Sequence, residues 1–454
     1  MKQRLTFSES FWIGLLLFGL FFGAGNLIFP VELGAQSGSN LLPASMGFLV
    51  TGVGMAVLGV VASAISRSDS LFELAKPASR GFAYFFTIAL YLTIGPFFAI
   101  PRTATVAFEV GVGVFVQEGQ MQTALLIFSS LFFIIALFFA LRPNDLIKSI
   151  GKFMTPLFLI LLSVLVILAF IKPMGAVASG QPTSKYMENA FFVGLIDGYN
   201  TMDGLAALAF AIIIIQNIRK MGVNKPRQVA IEIVKSSIIT LLAMSLVYLS
   251  LTYIGSSGLA VTQANNNGAV ILSDVARHYL GLYGRILLAG IVIVACIKTG
   301  IGIISACGEI FASMFPNFLS YKIYAVIFTA IAFLIANLGL ATIISLSLPV
   351  LMFLYPLAIA LIILSFASPF INKSKIVYQT TLLFTVFAAF FDFIKAAPGF
   401  ISQHNLSLKL IDFADNYLPA YKLGFGWLIP TSLGFIVGLV LWRMNTRKNT
   451  DSSF

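Results

Sequence analysis

The sequence predicts an all-α integral membrane protein of twelve transmembrane helices, arranged as a five-plus-five inverted repeat with broken first and sixth helices. Three observations predict it. Of 454 residues, 59% are apolar and only 10% are charged, against roughly 25% charged in soluble domains. About twelve apolar runs are long enough to cross some 30 Å of hydrocarbon, which takes about 20 residues. Two of those runs, five spans apart, carry a polar, glycine-bearing interruption where hydrocarbon depth demands continuous helix.

Apolar runs bounded by turn residues place spans at 8–30, 43–65, 81–114, 121–141, 150–171, 189–218, 230–255, 283–314, 322–339, 342–368, 375–397 and 425–443. The first run is longer than a signal-peptide core and no small-residue cleavage site follows it, so it is expected to remain as a span. All of 1–454 reads as one transmembrane domain: 8–171 the first repeat, 189–368 the second, and 375–443 two extra helices. An odd number of spans per repeat inverts the second copy. Glu32, and Asp392 with Lys395, read as solvated interfacial groups. The loop from Gly255 to Leu282 is long enough to fold over the outer entrance.

With the N-terminus inside, inner segments hold 19 of the 28 Lys and Arg residues, outer segments hold 7, and Arg102 and Lys298 lie within spans. That asymmetry puts both termini in the cytoplasm and the chain in the cell (inner) membrane. The net charge of +11 then reflects topology and contact with anionic lipid. Dispersed through short loops, it forms no single basic patch for nucleic acid.

Other classes are disfavoured by what is missing. His278 and His404 both lie between spans, so haem ligation, zinc-protease chemistry and a Ser-His dyad have no histidine in the bilayer. Asp197 and Asp203 share one span, whereas aspartyl chemistry needs carboxylates on facing elements; no enzyme is expected. A channel would be expected to have a constriction lined by a ring of carbonyls or like charges, whereas the substrate-sized breaks argue for a closed midplane site, and no G-x-x-x-x-G-K-[ST] loop suggests ATP-driven pumping. Cys296 and Cys307 stand about 16 Å apart at helical rise, too far to bridge. No cofactor is called for.

The first interruption reads Phe22-Gly23-Ala24-Gly25-Asn26-Leu27-Ile28-Phe29-Pro30, and the sixth span reads Ile196-Asp197-Gly198-Tyr199-Asn200-Thr201-Met202-Asp203-Gly204. Breaking a helix in lipid frees N–H and C=O groups at several kcal/mol each, unless protein, water or a solute satisfies them. A half-helix N-terminus favours an anion, and the preceding C-terminus favours a cation. An amino-acid zwitterion carries both, and paired breaks of this kind point to a midplane site in a secondary transporter. The alternative is that Gly23 and Gly25 only allow close packing, as in Gly19-x-x-x-Gly23, with the two aspartates at a span end.

The first interruption, the segment Gly95-Pro96-Phe97-Phe98-Ala99-Ile100-Pro101-Arg102-Thr103-Ala104-Thr105-Val106-Ala107-Phe108-Glu109, the stretch Gly198-Tyr199-Asn200-Thr201-Met202-Asp203 and Asn337-Leu338-Gly339-Leu340 together resemble the bacterial branched-chain amino acid carrier family, BrnQ-type. The likeness runs over nearly the whole chain. It implies a LeuT-like inverted-repeat fold and import of leucine, isoleucine and valine by symport with sodium or protons; other neutral amino acids such as methionine or threonine are the alternative. By this likeness the backbone of Gly23, Ala24, Gly25 and Asn26 would meet the substrate's charged ends, together with Asp197, Gly198, Tyr199, Asn200 and Thr201. Phe97, Phe98 and Tyr199 are candidate walls of an apolar subsite.

Two cations lie at membrane depth. Arg102 near a span centre costs at least about 2.5–3.5 kcal/mol, so it is expected to have a partner. Glu109, two turns along the same face, points into the same groove. Lys298 lies in Ala295-Cys296-Ile297-Lys298-Thr299-Gly300, mid-way along the eighth span. The resemblance implies that this span supplies oxygens to sodium, a role Thr299 fits. At Lys298 the family leads us to expect a small residue, so the lysine is a departure. Its ammonium can replace the metal ion electrostatically, or gain and lose a proton. Alternatively it pairs with Asp197, Asp203 or Glu309 as structural glue.

Overall fold

Helix dominates because hydrocarbon offers no partner for backbone groups, so each apolar run must satisfy its own. The computed structural model describes residues 4–68, 70–142, 147–264 and 267–451. Lys2 and the loop residues Asn265 and Asn266 lie outside the described residues, as do the side chains of Lys148, Arg447 and Lys448.

In chain order the main helices are α1 (Phe7–Phe21), α2 (Ala24–Gln36), α3 (Gly38–Ile65), α4 (Arg80–Phe115), α5 (Met121–Ala140), α6 (Ile150–Ile171), α7 (Ala190–Tyr199), α8 (Asp203–Lys220), α9 (Pro226–Ser257), α10 (Gly268–Met314), α11 (Tyr321–Ala336), α12 (Leu340–Ile371), α13 (Lys375–Ala396), α14 (Asn405–Tyr417) and α15 (Leu428–Asp451). Among the described residues, 9 are long and apolar enough to span a bilayer, or up to 11 if α1 with α2 and α7 with α8 each count as one broken span. The remaining expected span is α11, a shorter apolar helix of 16 residues.

Several sequence expectations need correction. The first span continues through Pro30 to Gln36, so Glu32 lies inside α2, where it accepts a hydrogen bond from Gln36 at 3.1 Å. Asp392 is 5% exposed within α13, not solvated, because α14 and the loop before α15 cover that end of the helix. The loop after α9 is largely helix: residues 268 onward already belong to α10, which kinks at Gly281, where φ is +56°. A third interruption escaped sequence reading: α4 holds π-turns at Thr93–Phe97 and Ala107–Val112, with Gly95 outside helical geometry.

The helices pack in two groups joined through α10, whose start rests on α2. In one, α1 and α2 lie against α9, and α7 and α8 against α3; in the other, α10 packs on α4, α5 and α11. Glycines set the closest approaches around α2. A Cβ at Gly34 would stand 2.1 Å from the Thr252 carbonyl oxygen of α9. Likewise a Cβ at Gly255 would stand 2.0 Å from the Val31 carbonyl oxygen, and one at Gly268 2.0 Å from that of Ile28.

Candidate substrate site

The first break closes on its own side chain. α1 ends at Phe21, α2 starts at Ala24, and their axes differ by 73°. The Gly23 N–H, orphaned by the break, donates to Asn26 Oδ1 at 3.0 Å. Asn26 Nδ2 donates to Asp203 Oδ2 at 2.6 Å and also to the Tyr248 hydroxyl. Tyr248 in turn donates to the same Asp203 oxygen at 2.6 Å. One amide therefore caps the first break and ties it to the second.

At the second break α7 and α8 differ by 41°. Met202 turns the chain with φ at +63°, a left-handed conformation that costs a residue with a side chain of this size. Thr201 satisfies both sides, donating to the Gly198 carbonyl at 2.9 Å and accepting from the Asp203 N–H at 3.3 Å. The carbonyl of Asn200 accepts from Arg102 Nη1 of α4 at 2.9 Å. The Arg102 guanidinium also lies over the Phe29 ring, 5.5 Å from its centroid.

Between the breaks lies a cavity of about 30 Å³, roughly the share of one liquid water. It is lined by Gly23, Ala24, Gly25, Asn26, Arg102, Thr201, Asp203 and Thr299, with Phe21, Ile94, Ala99 and Phe210 as apolar walls. Six of the residues expected at the site, Gly23 to Asn26, Thr201 and Thr299, thus share one cavity. Thr299 Oγ1 lies 3.5 Å from the Gly19 carbonyl, and a Cβ at Gly23 would stand 2.9 Å from Thr299.

The structure places the other expected residues elsewhere. Phe97 is 39% exposed and meets Phe98 edge-on, and neither lines the cavity. The π-turn around Gly95 rotates them off the face that Ile94 and Ala99 present. Tyr199 stacks on Tyr355 at 4.1 Å between centroids, behind the lining. Gly198 is a contact point with α3, where a Cβ would stand 2.0 Å from Thr51 Oγ1.

Asp197 faces outward. It accepts from Lys185 Nζ at 2.7 Å and from the Tyr186 hydroxyl. Burial and the adjacent carboxylate push the Tyr186 phenol well above its ordinary value, so it stays a donor. Asp197, Asn200 and Lys185 line an outer cavity of about 490 Å³ with Phe29, Glu32 and Glu109. Glu109 opens there and not onto Arg102, whose bond goes to the Asn200 carbonyl. Arg102 therefore bonds or stacks with two residues of the outer cavity while itself lining the inner one.

Lys298 is fully buried, and its Nζ has no hydrogen-bond partner among the described residues. It pairs with none of Asp197, Asp203 or Glu309. Instead the ammonium stands 4.5, 5.3 and 5.7 Å from the ring centroids of Phe158, Phe18 and Phe22, an aromatic cage suited to a cation.

Sequence reasoning missed Asp203, Tyr248 and the cavity's apolar walls as site residues. Asp203 had a signal, since it opens the second half-helix, six residues after Asp197. Tyr248 lies mid-way along an apolar helix and had none.

Two broken helices meeting at a charged cavity, within a bundle of spans, define a multi-pass, LeuT-like membrane fold. Solved structures with the same fold include MhsT in complex with L-phenylalanine (15% identity, TM-score 0.57, 97% of this chain and 99% of that one). The nucleobase-cation-symport-1 family transporter Mhp1 also matches (15%, TM-score 0.59, 97% and 95%). Residues 7–445 match the family described as branched-chain amino acid transport protein, and the chain belongs to it. It is 45% identical to the branched-chain amino acid permease BrnQ of Lactobacillus delbrueckii subsp. lactis, over 96% of this chain and 97% of the relative. It is 40% identical to BrnQ of Bacillus subtilis, over 98% and 100%.

Proposed function

We propose that the chain is a secondary active transporter of the cell membrane, with both termini cytoplasmic, importing leucine, isoleucine and valine by cation symport. The supporting observation is the cavity between the breaks, where helix ends and charges of both signs meet apolar walls. At about 30 Å³ it is far too small for a branched side chain. Binding therefore requires α1–α2 and α7–α8 to move relative to α4 and the length of α10 beyond its kink at Gly281, which is the motion alternating access needs. Membership of the family supports the substrate class.

Transport in this reading is independent of sodium and draws on the proton gradient. The Lys298 ammonium lies beside Thr299 and against Phe18 and Phe22, where it supplies the positive charge that bridges α1 to α10. A sodium ion on Thr299 would then face a like charge one residue away. Uptake of labelled leucine into proteoliposomes, with imposed sodium or proton gradients and competition by the twenty amino acids, tests this. Valine and isoleucine should compete best, an uncoupler should stop accumulation, and replacing sodium should change nothing. In Lys298→Thr the ion dependence should change. Uptake proportional to sodium and indifferent to the uncoupler overturns the coupling; preference for methionine or threonine overturns the substrate.

A further inference from the structure

We infer that Asp203 and Arg102 divide the substrate between them, Asp203 holding its α-ammonium and Arg102 its α-carboxylate. The assignment rests on the amino-acid carrier reading above and names the groups that read the zwitterion. Both side chains are buried, at 2% and 4% exposure, and both line the cavity between the breaks. They carry opposite charges in a medium where each alone is costly, yet no ion pair joins them among the described residues.

Each is instead held by neutral groups. Asp203 accepts from Asn26 and Tyr248 on Oδ2, with the Thr201 hydroxyl as a further neutral partner. Arg102 is anchored by the Asn200 carbonyl and the Phe29 ring. Two opposite charges that served only the fold would gain most by closing on each other. Lining one cavity without pairing with each other, they suit a ligand that carries one charge of each sign.

Placement agrees with the division. A Cβ at Gly25 would stand 3.0 Å from Arg102 Nη2, so the guanidinium lies beside the first turn of α2. A carboxylate there meets a cation and the positive end of a half-helix from the same side. The ammonium then falls to Asp203, whose position is fixed by the amide that caps the first break. A substrate lacking either charge leaves one buried ion unanswered, and that penalty makes the site reject it.

The test uses the full-length carrier in proteoliposomes, with leucine uptake competed by 4-methylpentanoate, which lacks the ammonium, and by leucinol, which lacks the carboxylate. Wild type should exclude both. In Asp203→Asn, leucine should bind at least about tenfold more weakly while the preference for leucine over 4-methylpentanoate narrows by a similar factor. The leucinol ratio should not change. Arg102→Gln should show the reverse. Both ratios unchanged, or both narrowed alike in each variant, overturn the division, because a purely structural role would not separate them. If Asp203→Asn does not fold, Asp203→Glu keeps the charge one methylene further out; it should lose leucine affinity but still exclude 4-methylpentanoate, and admission of that analogue overturns the assignment. A wild-type carrier that moves no branched-chain amino acid refutes the proposed function itself; normal leucine transport with unseparated ratios refutes only this assignment.

Discussion

Both breaks are capped by a side chain of their own, Asn26 at the first and Thr201 at the second, but they differ in how much they draw on other helices. At the first, a sharp 73° bend is capped internally: Asn26 reaches back to the Gly23 N–H, three residues away. At the second, a 41° bend is capped by its own Thr201 and held besides by groups from elsewhere, with Arg102 of α4 taking the Asn200 carbonyl and Asn26 and Tyr248 holding Asp203. A break capped by its own residues keeps its shape while its neighbours move. A break held also by its neighbours changes when they do, so the second is the one that senses the relative position of the two helix groups.

The largest expected effect comes from the residue both breaks share. Asn26→Ala leaves the Gly23 N–H and the Asp203 carboxylate short of partners, at about 1–3 kcal/mol for each buried group. Thermal unfolding in detergent should show the loss, and uptake should be abolished. An uptake-competent Asn26→Ala carrier would break the claim that one amide serves both breaks. Next comes a pair of glycines. Gly198→Ala forces a Cβ to 2.0 Å from Thr51 Oγ1 and 2.9 Å from the Gly52 nitrogen, overpacking worth about 1–3 kcal/mol. Gly23→Ala meets only Thr299 side-chain atoms, none closer than 2.9 Å and none of them backbone, so the shallower clash should cost less. The same unfolding assay orders them, and the reverse order would show the first break to be the tighter.

The smallest effect lies at the outer end of α7. Lys185 is 45% exposed where it meets Asp197, so Lys185→Met should cost no more than about 1 kcal/mol, shrinking further in high salt. A loss as large as that from Asn26→Ala would mean that the outer pairing, and not the inner amide, secures the second break.

Much of this comparison was legible in the sequence. Both breaks announced themselves because glycines set among several polar residues inside an apolar run, at matched positions five spans apart, go beyond what close helix packing calls for. Polarity marks a break but not which way each residue faces. Asp197 and Asp203 look alike in the sequence, yet a six-residue separation interrupted by the left-handed Met202 sends one outward to Lys185 and the other inward to Asn26. Phe97 and Phe98 were candidate walls of the apolar subsite as aromatic residues, but the π-turn at Gly95 shifted the register, which helical spacing cannot foresee. Lys298 was conspicuous as a charge in a span. Its aromatic surroundings come from Phe18 and Phe22 of α1 and Phe158 of α6, a meeting of distant segments that no local pattern records.

The glycine contacts along α2 have a mechanical consequence. Gly34, Gly255 and Gly268 let backbone rest on backbone at three levels, leaving no side-chain layer in which the outer half of the first span could slide against α9 or the start of α10. These three segments form a single lever arm, and force applied at the outer surface reaches the cavity without being absorbed on the way.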